Sequence, residues 1–204
     1  TLFFLVSTFL LLDVDRRGGR WWIAVWLPLV VVWGNFHGGV VSGIGIIGCY
    51  GLAKTLESWI ATRSITKTFL AVRYLVVTGI ATAVLMNVSP YGMDYVPYLV
   101  RAIRMPRPLI SEWDPIWQTK APSVLILYVM SVGLAGLAVY FHWFGNLRQK
   151  SDEPQNKMFW QAKLFGPFAI ALTAYLAFKH QRHGSLYAVT WICVVPPMLV
   201  GSIV

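Results

Sequence analysis

Three short clusters in this chain carry the residue types that do chemistry. In Ile110-Ser111-Glu112-Trp113-Asp114-Pro115, two carboxylates flank an indole ring. A carboxylate so placed can take the proton of an acceptor hydroxyl that comes within hydrogen-bond reach, as general base or metal ligand. The plainer reading is solvated loop charge paired with Arg101, Arg104 or Arg107. The stretch Lys179-His180-Gln181-Arg182-His183 could clamp an anion. Its Arg offers bidentate contacts to a phosphate and each His a tunable donor, although basic residues also flank membrane spans by default. In Trp33-Gly34-Asn35-Phe36-His37-Gly38-Gly39, Asn35 and His37 interrupt an apolar stretch. They either cap a packed turn or line a ligand cavity. No ligand spacing supports a metal, and no cofactor is expected. Cys49 and Cys193 sit apart in apolar runs and read as small buried hydrophobes.

The elements that must position these clusters are membrane helices. From Trp21 to Ala53 the chain carries no charge. As one helix this run would rise roughly 50 Å, well beyond a hydrocarbon core of about 30 Å. A hairpin turning at residues 34–39 would instead give two short arms of about 14 to 16 residues each. Further apolar runs cover 2–12, 69–88 with Arg73 inside, 121–144, 164–178 and 184–204. Only 12% of residues are charged, against about 25% in ordinary soluble proteins. Mean hydropathy is +0.61. The expected fold is an all-α polytopic bundle of about six or seven crossings, a single transmembrane domain over 1–204. Because the first run starts at Thr1 without a signal-peptide n-region or cleavage site, it is expected to belong to a longer chain.

The distribution of Lys and Arg selects the hairpin. With two crossings, the loops 13–20, 54–73 and 145–163 share a side and hold eleven Lys or Arg against six opposite, whereas a single crossing gives nine against eight. The positive-inside rule then makes those three loops cytoplasmic, with Arg73 snorkelling to that surface. The Asn35/His37 turn, the loop 89–120 and residues 179–183 fall on the outer face. Loop 89–120 is expected to be extracytoplasmic and interfacial, with Tyr91, Tyr95 and Tyr98 beside Arg101, Arg104 and Arg107 as an amphipathic segment. The net charge of +9 lies in loops, where anionic lipid explains it without nucleic acid. No Gly-rich phosphate loop follows a strand, which argues against a nucleotide hydrolase. The mixed-charge segment Arg148–Lys163 carries no legible motif.

Together, Trp33-x-Asn35-x-His37-Gly38-Gly39-x-x-x-Gly43, Asn87-x-x-Pro90-Tyr91-Gly92, Ile110-Ser111-Glu112-Trp113 and Arg182-His183 with Pro196 or Pro197 resemble, in the same order, a set of bacterial polytopic membrane proteins. That set looks like the GT-C class of glycosyltransferases, which use a polyprenyl-phosphate-linked sugar on the extracytoplasmic side. The resemblance implies the bacterial inner membrane, a catalytic acid or base at Glu112, lipid-phosphate binding by Arg182, His183 and His180, and a cavity lined by Asn35, His37 and Asp114. The usual catalytic Asp of an early outer loop is absent from this sequence, as is the usual R-P-Q. Two other functions fit the composition. One is a non-catalytic transmembrane subunit that packs in a larger complex, for which ten Trp and many small residues are suited. The other is a transporter with helices broken near Gly and Asn. The expected partners are membrane lipids, a polyprenyl-phosphate-sugar donor and other membrane subunits.

Overall fold

The computed structural model describes residues 1–105, 110–145 and 164–203, and among these the regular elements are all helices. Arg107 and the mixed-charge loop Arg148–Lys163 lie outside the described residues. The chain divides into two compact units, Thr1–Pro106 and Arg107–Val204.

The first unit holds α1 (Leu2–Arg16), α2 (Trp22–Phe36), α3 (Val40–Thr62), α4 (Ile65–Leu85) and α5 (Tyr95–Arg104). Contacts at the two ends fix the directions. Asp15, late in α1, bonds Trp22 at the start of α2, Lys54 in α3 and Tyr74 in α4. Phe4 stacks on Trp33 at 5.1 Å, and Met86, the residue that follows α4, lies against Gly34 of α2. The first four helices therefore alternate up and down, and the uncharged run reverses at residues 37–39. The arms differ from the expected short pair. While α2 has 15 residues, α3 has 23 and continues through Lys54 and Glu57 to Thr62. A charge ends an apolar run, but it does not end a helix when its partner lies inside the bundle. Left-handed Arg63 (φ 50°) closes α3, and the Ser64 hydroxyl then caps α4 by accepting from the Lys67 N–H.

Close approach of α2 and α3 depends on Gly43. A Cβ there would lie 2.3 Å from the fully buried Trp33 ring, on which Phe4 also stacks. Gly43→Ala is expected to destabilise the protein by about 1–3 kcal/mol through overpacking. The thermal midpoint in detergent reads this, and a midpoint equal to wild type would mean that the ring moves freely.

The second unit begins with single 3-10 turns at Ser111–Trp113 and Ile116–Gln118, followed by α6 (Pro122–Gly145), α7 (Phe165–Lys179) and α8 (Gly184–Ile203). Helix α8 packs on both others. The Trp191 indole N–H donates to the Ser131 carbonyl at 2.9 Å, and the Tyr128 hydroxyl joins α6 to the Ala174 carbonyl of α7 at 2.8 Å. Buried Ala135, Ala138, Ala169 and Ala177 let these backbones come close. The buried hydroxyls of Thr173 and Thr190 donate to carbonyls four residues back in their own helices, so neither is left unsatisfied in an apolar setting.

Helices α3, α4, α6 and α8 contain stretches long and apolar enough to cross a membrane, while α2 and α7 are apolar but shorter. Much of the outward surface is apolar too: Phe69, Leu70, Val77, Ile80 and Val84 of α4 are all more than half exposed. Water would not tolerate such a face on a folded monomer, whereas lipid would. The described residues are all-helical, and the four long apolar helices mark an integral membrane protein.

Candidate functional site

In the second unit, two of the clusters singled out in the sequence meet. The 3-10 turn carrying Glu112 and Trp113 lies against the turn Gln181–His183, which joins α7 to α8. Two hydrogen bonds tie them: the Gln181 backbone N–H donates to the Asp114 carbonyl at 3.0 Å, and the His180 side chain donates from Nδ1 to the Trp113 carbonyl at 2.5 Å. Because a carbonyl can only accept, that bond places a proton on Nδ1.

Trp113 is the centre of the group. Its ring stands edge-on to His180 at 5.2 Å and to His183 at 6.1 Å, and the Arg182 guanidinium lies 5.4 Å from its centroid, within cation–π range. Arg182 and Glu112 are exposed, and Asp114 is half-buried. Among the described residues none of these three forms an ion pair. The arrangement thus gathers one guanidinium and two imidazoles on an aromatic plate, next to two carboxylates. Such a group can bind an anion and exchange a proton with its neighbour. Among the described residues no group of three His, Cys, Asp or Glu side chains could hold a metal ion.

Asn35 and His37 lie in the first unit, both exposed at the α2–α3 reversal. The Asn35 amide donates to the Val31 carbonyl at 2.9 Å and to the Val88 carbonyl at 2.8 Å, tying α2 to the segment after α4. His37 Nδ1 accepts the Gly39 N–H at 2.8 Å and lies 3.0 Å from the Thr1 hydroxyl. A Cβ on Gly39 would fall 2.7 Å from that same nitrogen, so the turn is built around the imidazole. The Tyr95 hydroxyl of α5 donates to the Gly34 carbonyl nearby. Here the polar side chains serve the backbone, and Asn35→Asp gives the test. A carboxylate facing two carbonyls is expected to cost more stability than Asn35→Ala, which forfeits about 1–2 kcal/mol of hydrogen bonding. Equal melting of the two variants would argue that the amide bonds contribute nothing.

Sequence reasoning missed a further cluster at the other end of the first unit. Asp15, 1% exposed, accepts from Trp22 Nε1 at 2.7 Å, Lys54 Nζ at 2.8 Å and the Tyr74 hydroxyl at 2.6 Å, as well as from Tyr50 and Arg20. Arg20 also stacks 3.6 Å over the Tyr74 ring. Asp15 lies past the apolar run 2–12, in what the sequence reads as a basic loop. Burial pushes its carboxyl up, but the hydrogen bonds from Lys54, Tyr50 and Tyr74 and the Lys54 charge outweigh it and hold it below the usual carboxylate range. For Arg20, burial works against the charge, but Asp15 beside it holds the guanidinium above its ordinary value. One signal was available: Asp15 continues the buried stripe Leu5, Thr8, Leu12 at helical spacing.

Comparison of the chain with protein-family models, with curated proteins and with solved structures finds no match.

Proposed function

We propose that this protein acts in sugar transfer from a polyprenyl-phosphate donor at the outer leaflet of a bacterial inner membrane, as a GT-C-like bundle of six or seven crossings. One observation carries the reading: Arg182, His180 and His183 gather around Trp113, which Glu112 and Asp114 flank in the chain. In transfer, the acceptor oxygen bonds to the sugar's anomeric carbon as the bond from that carbon to the phosphate oxygen breaks. Negative charge then grows on the departing polyprenyl phosphate. Arg182 and the two imidazoles are the groups to stabilise it, and Glu112 is the group to receive the acceptor's proton.

The test is reconstitution of the protein in vesicles with polyprenyl-phosphate-linked sugars and a panel of hydroxyl acceptors. Release of polyprenyl phosphate coupled to a glycosylated acceptor is the expected result. Neither release nor binding of the donor across the panel would sink the reading.

A non-catalytic subunit is the second reading, favoured by one observation. Along α6, Ile126, Leu127, Val129, Met130 and Leu137 are all more than half exposed, a face available to partner helices as well as to lipid. Gentle extraction followed by mass measurement of the intact assembly distinguishes a lone chain from a complex.

A further inference from the structure

One guanidinium of the first unit stands inside an apolar helix long enough to cross a membrane. Arg73 is exposed and is the ninth of the 21 residues of α4, about 12 Å along the helix from Ile65. Among the described residues its side chain has no ion pair, hydrogen bond or ring contact. A charge at that depth is costly unless it is paired, so the position calls for an anion.

Arg73 itself lines a groove between α2 and α4. Phe69, Arg73, Val77 and Ala81 recur every four residues along one face of α4, and Ile23 and Leu27 of α2 line the same groove. The other polar side chains in the lining are engaged: the Tyr74 hydroxyl donates to Asp15 and the Thr78 hydroxyl to the Tyr74 carbonyl. The lining therefore holds one charge and no acid to balance it.

The Arg73 end of the groove lies where α2 begins. Ile23 is the second residue of α2, Tyr74 shares Asp15 with Trp22, and Arg20 stacks over the Tyr74 ring. The basic connection from α1 to α2, with Arg16, Arg17 and Arg20, is thus at the same end. Helical side chains lean toward the N-terminus of their helix, so the stem of Arg73 leads toward Ser64 and the membrane surface on that side. In the opposite direction the groove continues about 12 Å deeper, over Val77 to Ala81.

These features choose among anions. A carboxylate on a partner helix would have to be stripped of water to reach Arg73, a cost that can exceed the attraction. Lipid phosphates already stand at the surface toward which the stem leads, and a guanidinium holds a phosphate by paired N–H bonds. A zwitterionic lipid would bring an ammonium that finds no acid in the lining. We infer that the face between α2 and α4 binds an anionic glycerophospholipid, with its phosphate on Arg73 and an acyl chain over Leu27, Val77 and Ala81. The inference is independent of the sugar-transfer reading.

The experiment uses the full chain in vesicles that contain a trace of phosphatidylglycerol with a photoactivatable diazirine on one acyl chain. Crosslinks are expected on the α2 peptide that holds Leu27 and the α4 peptide that holds Val77 and Ala81. Unlabelled phosphatidylglycerol should compete at least 10-fold better than phosphatidylcholine. Arg73→Gln should abolish that difference while helical circular dichroism and the melting midpoint stay as in wild type, since the side chain bonds to nothing in the fold. Arg63→Gln removes an exposed cation that stacks on Trp59 at the end of α3, and it should leave the difference intact. Labels spread evenly over all outward helix faces, or a preference that survives Arg73→Gln, would overturn the site. Stronger competition by a polyprenyl phosphate would overturn the glycerophospholipid as its occupant. Loss of a second protein chain from the intact assembly on Arg73→Gln would assign the guanidinium to an acid of a partner helix instead. If the glutamine variant does not fold, the wild-type crosslinks and their competition decide alone.

Discussion

Asp15→Ala is expected to cost about 3–5 kcal/mol, enough to unfold the first unit under conditions where the wild type is folded. The carboxylate is buried and joins four helices, so its removal takes the counter-charge from the part-buried Lys54 ammonium and the acceptor from the hydroxyls of Tyr50 and Tyr74. Stranding a buried charge costs far more than the pair contributes when both partners are present. Two comparisons separate this from a general intolerance of change. Asp13 pairs with an exposed Arg17 four residues on, and Asp13→Ala should stay within about 0.5 kcal/mol of wild type. Asp15→Leu combined with Lys54→Met should recover at least 1 kcal/mol relative to Asp15→Leu alone, because the stranded ammonium is gone. Thermal unfolding of the purified protein in detergent, followed by helical circular dichroism, reads all of them. An Asp15→Ala midpoint near that of Asp13→Ala would show that water or detergent reaches the cluster and replaces its bonds.

That cluster also marks where sequence reading stops. The helical, membrane-spanning character of the chain was legible because a long uncharged run has only one stable solution in lipid. The reversal at residues 37–39 was legible because the counts of Lys and Arg on the two sides depend on it. The length of α3 was not, since Lys54 looks like the edge of a span until Asp15, which is 39 positions earlier, supplies the partner that lets it stay inside. Pairings at that separation leave no periodic trace. Asp15 itself hides among Arg16, Arg17 and Arg20, where an acid reads as one more loop charge. In the second unit the reverse holds. Glu112, Asp114 and the 180–183 turn stand out by residue type, and the fold brings them together through bonds to the backbone carbonyls of Trp113 and Asp114, which no side-chain pattern encodes.

In the sugar-transfer reading, Arg182→Ala is expected to lower kcat/KM at least 100-fold, equivalent to about 2.7 kcal/mol of lost transition-state stabilisation. The argument turns on what holds the guanidinium. Arg182 is exposed, has no ion-pair partner among the described residues, and lies over the Trp113 ring. The fold therefore does not consume its charge, and the alanine variant should melt within about 0.5 kcal/mol of wild type. Stability stays while activity goes, a split that a structural arginine would not give. Arg182→Lys keeps the charge but loses the planar fork and the stacking, so it should restore donor binding more than turnover. If charge on the leaving phosphate is what Arg182 opposes, the loss should fall mainly in kcat; a loss confined to KM would make it a ground-state headgroup contact instead. Trp113→Ala provides the complementary readout. Without the plate, His180, Arg182 and His183 lose their common support, and both parameters should worsen together. Full activity in Arg182→Ala would remove the phosphate role from this cluster and leave the subunit reading as the stronger of the two.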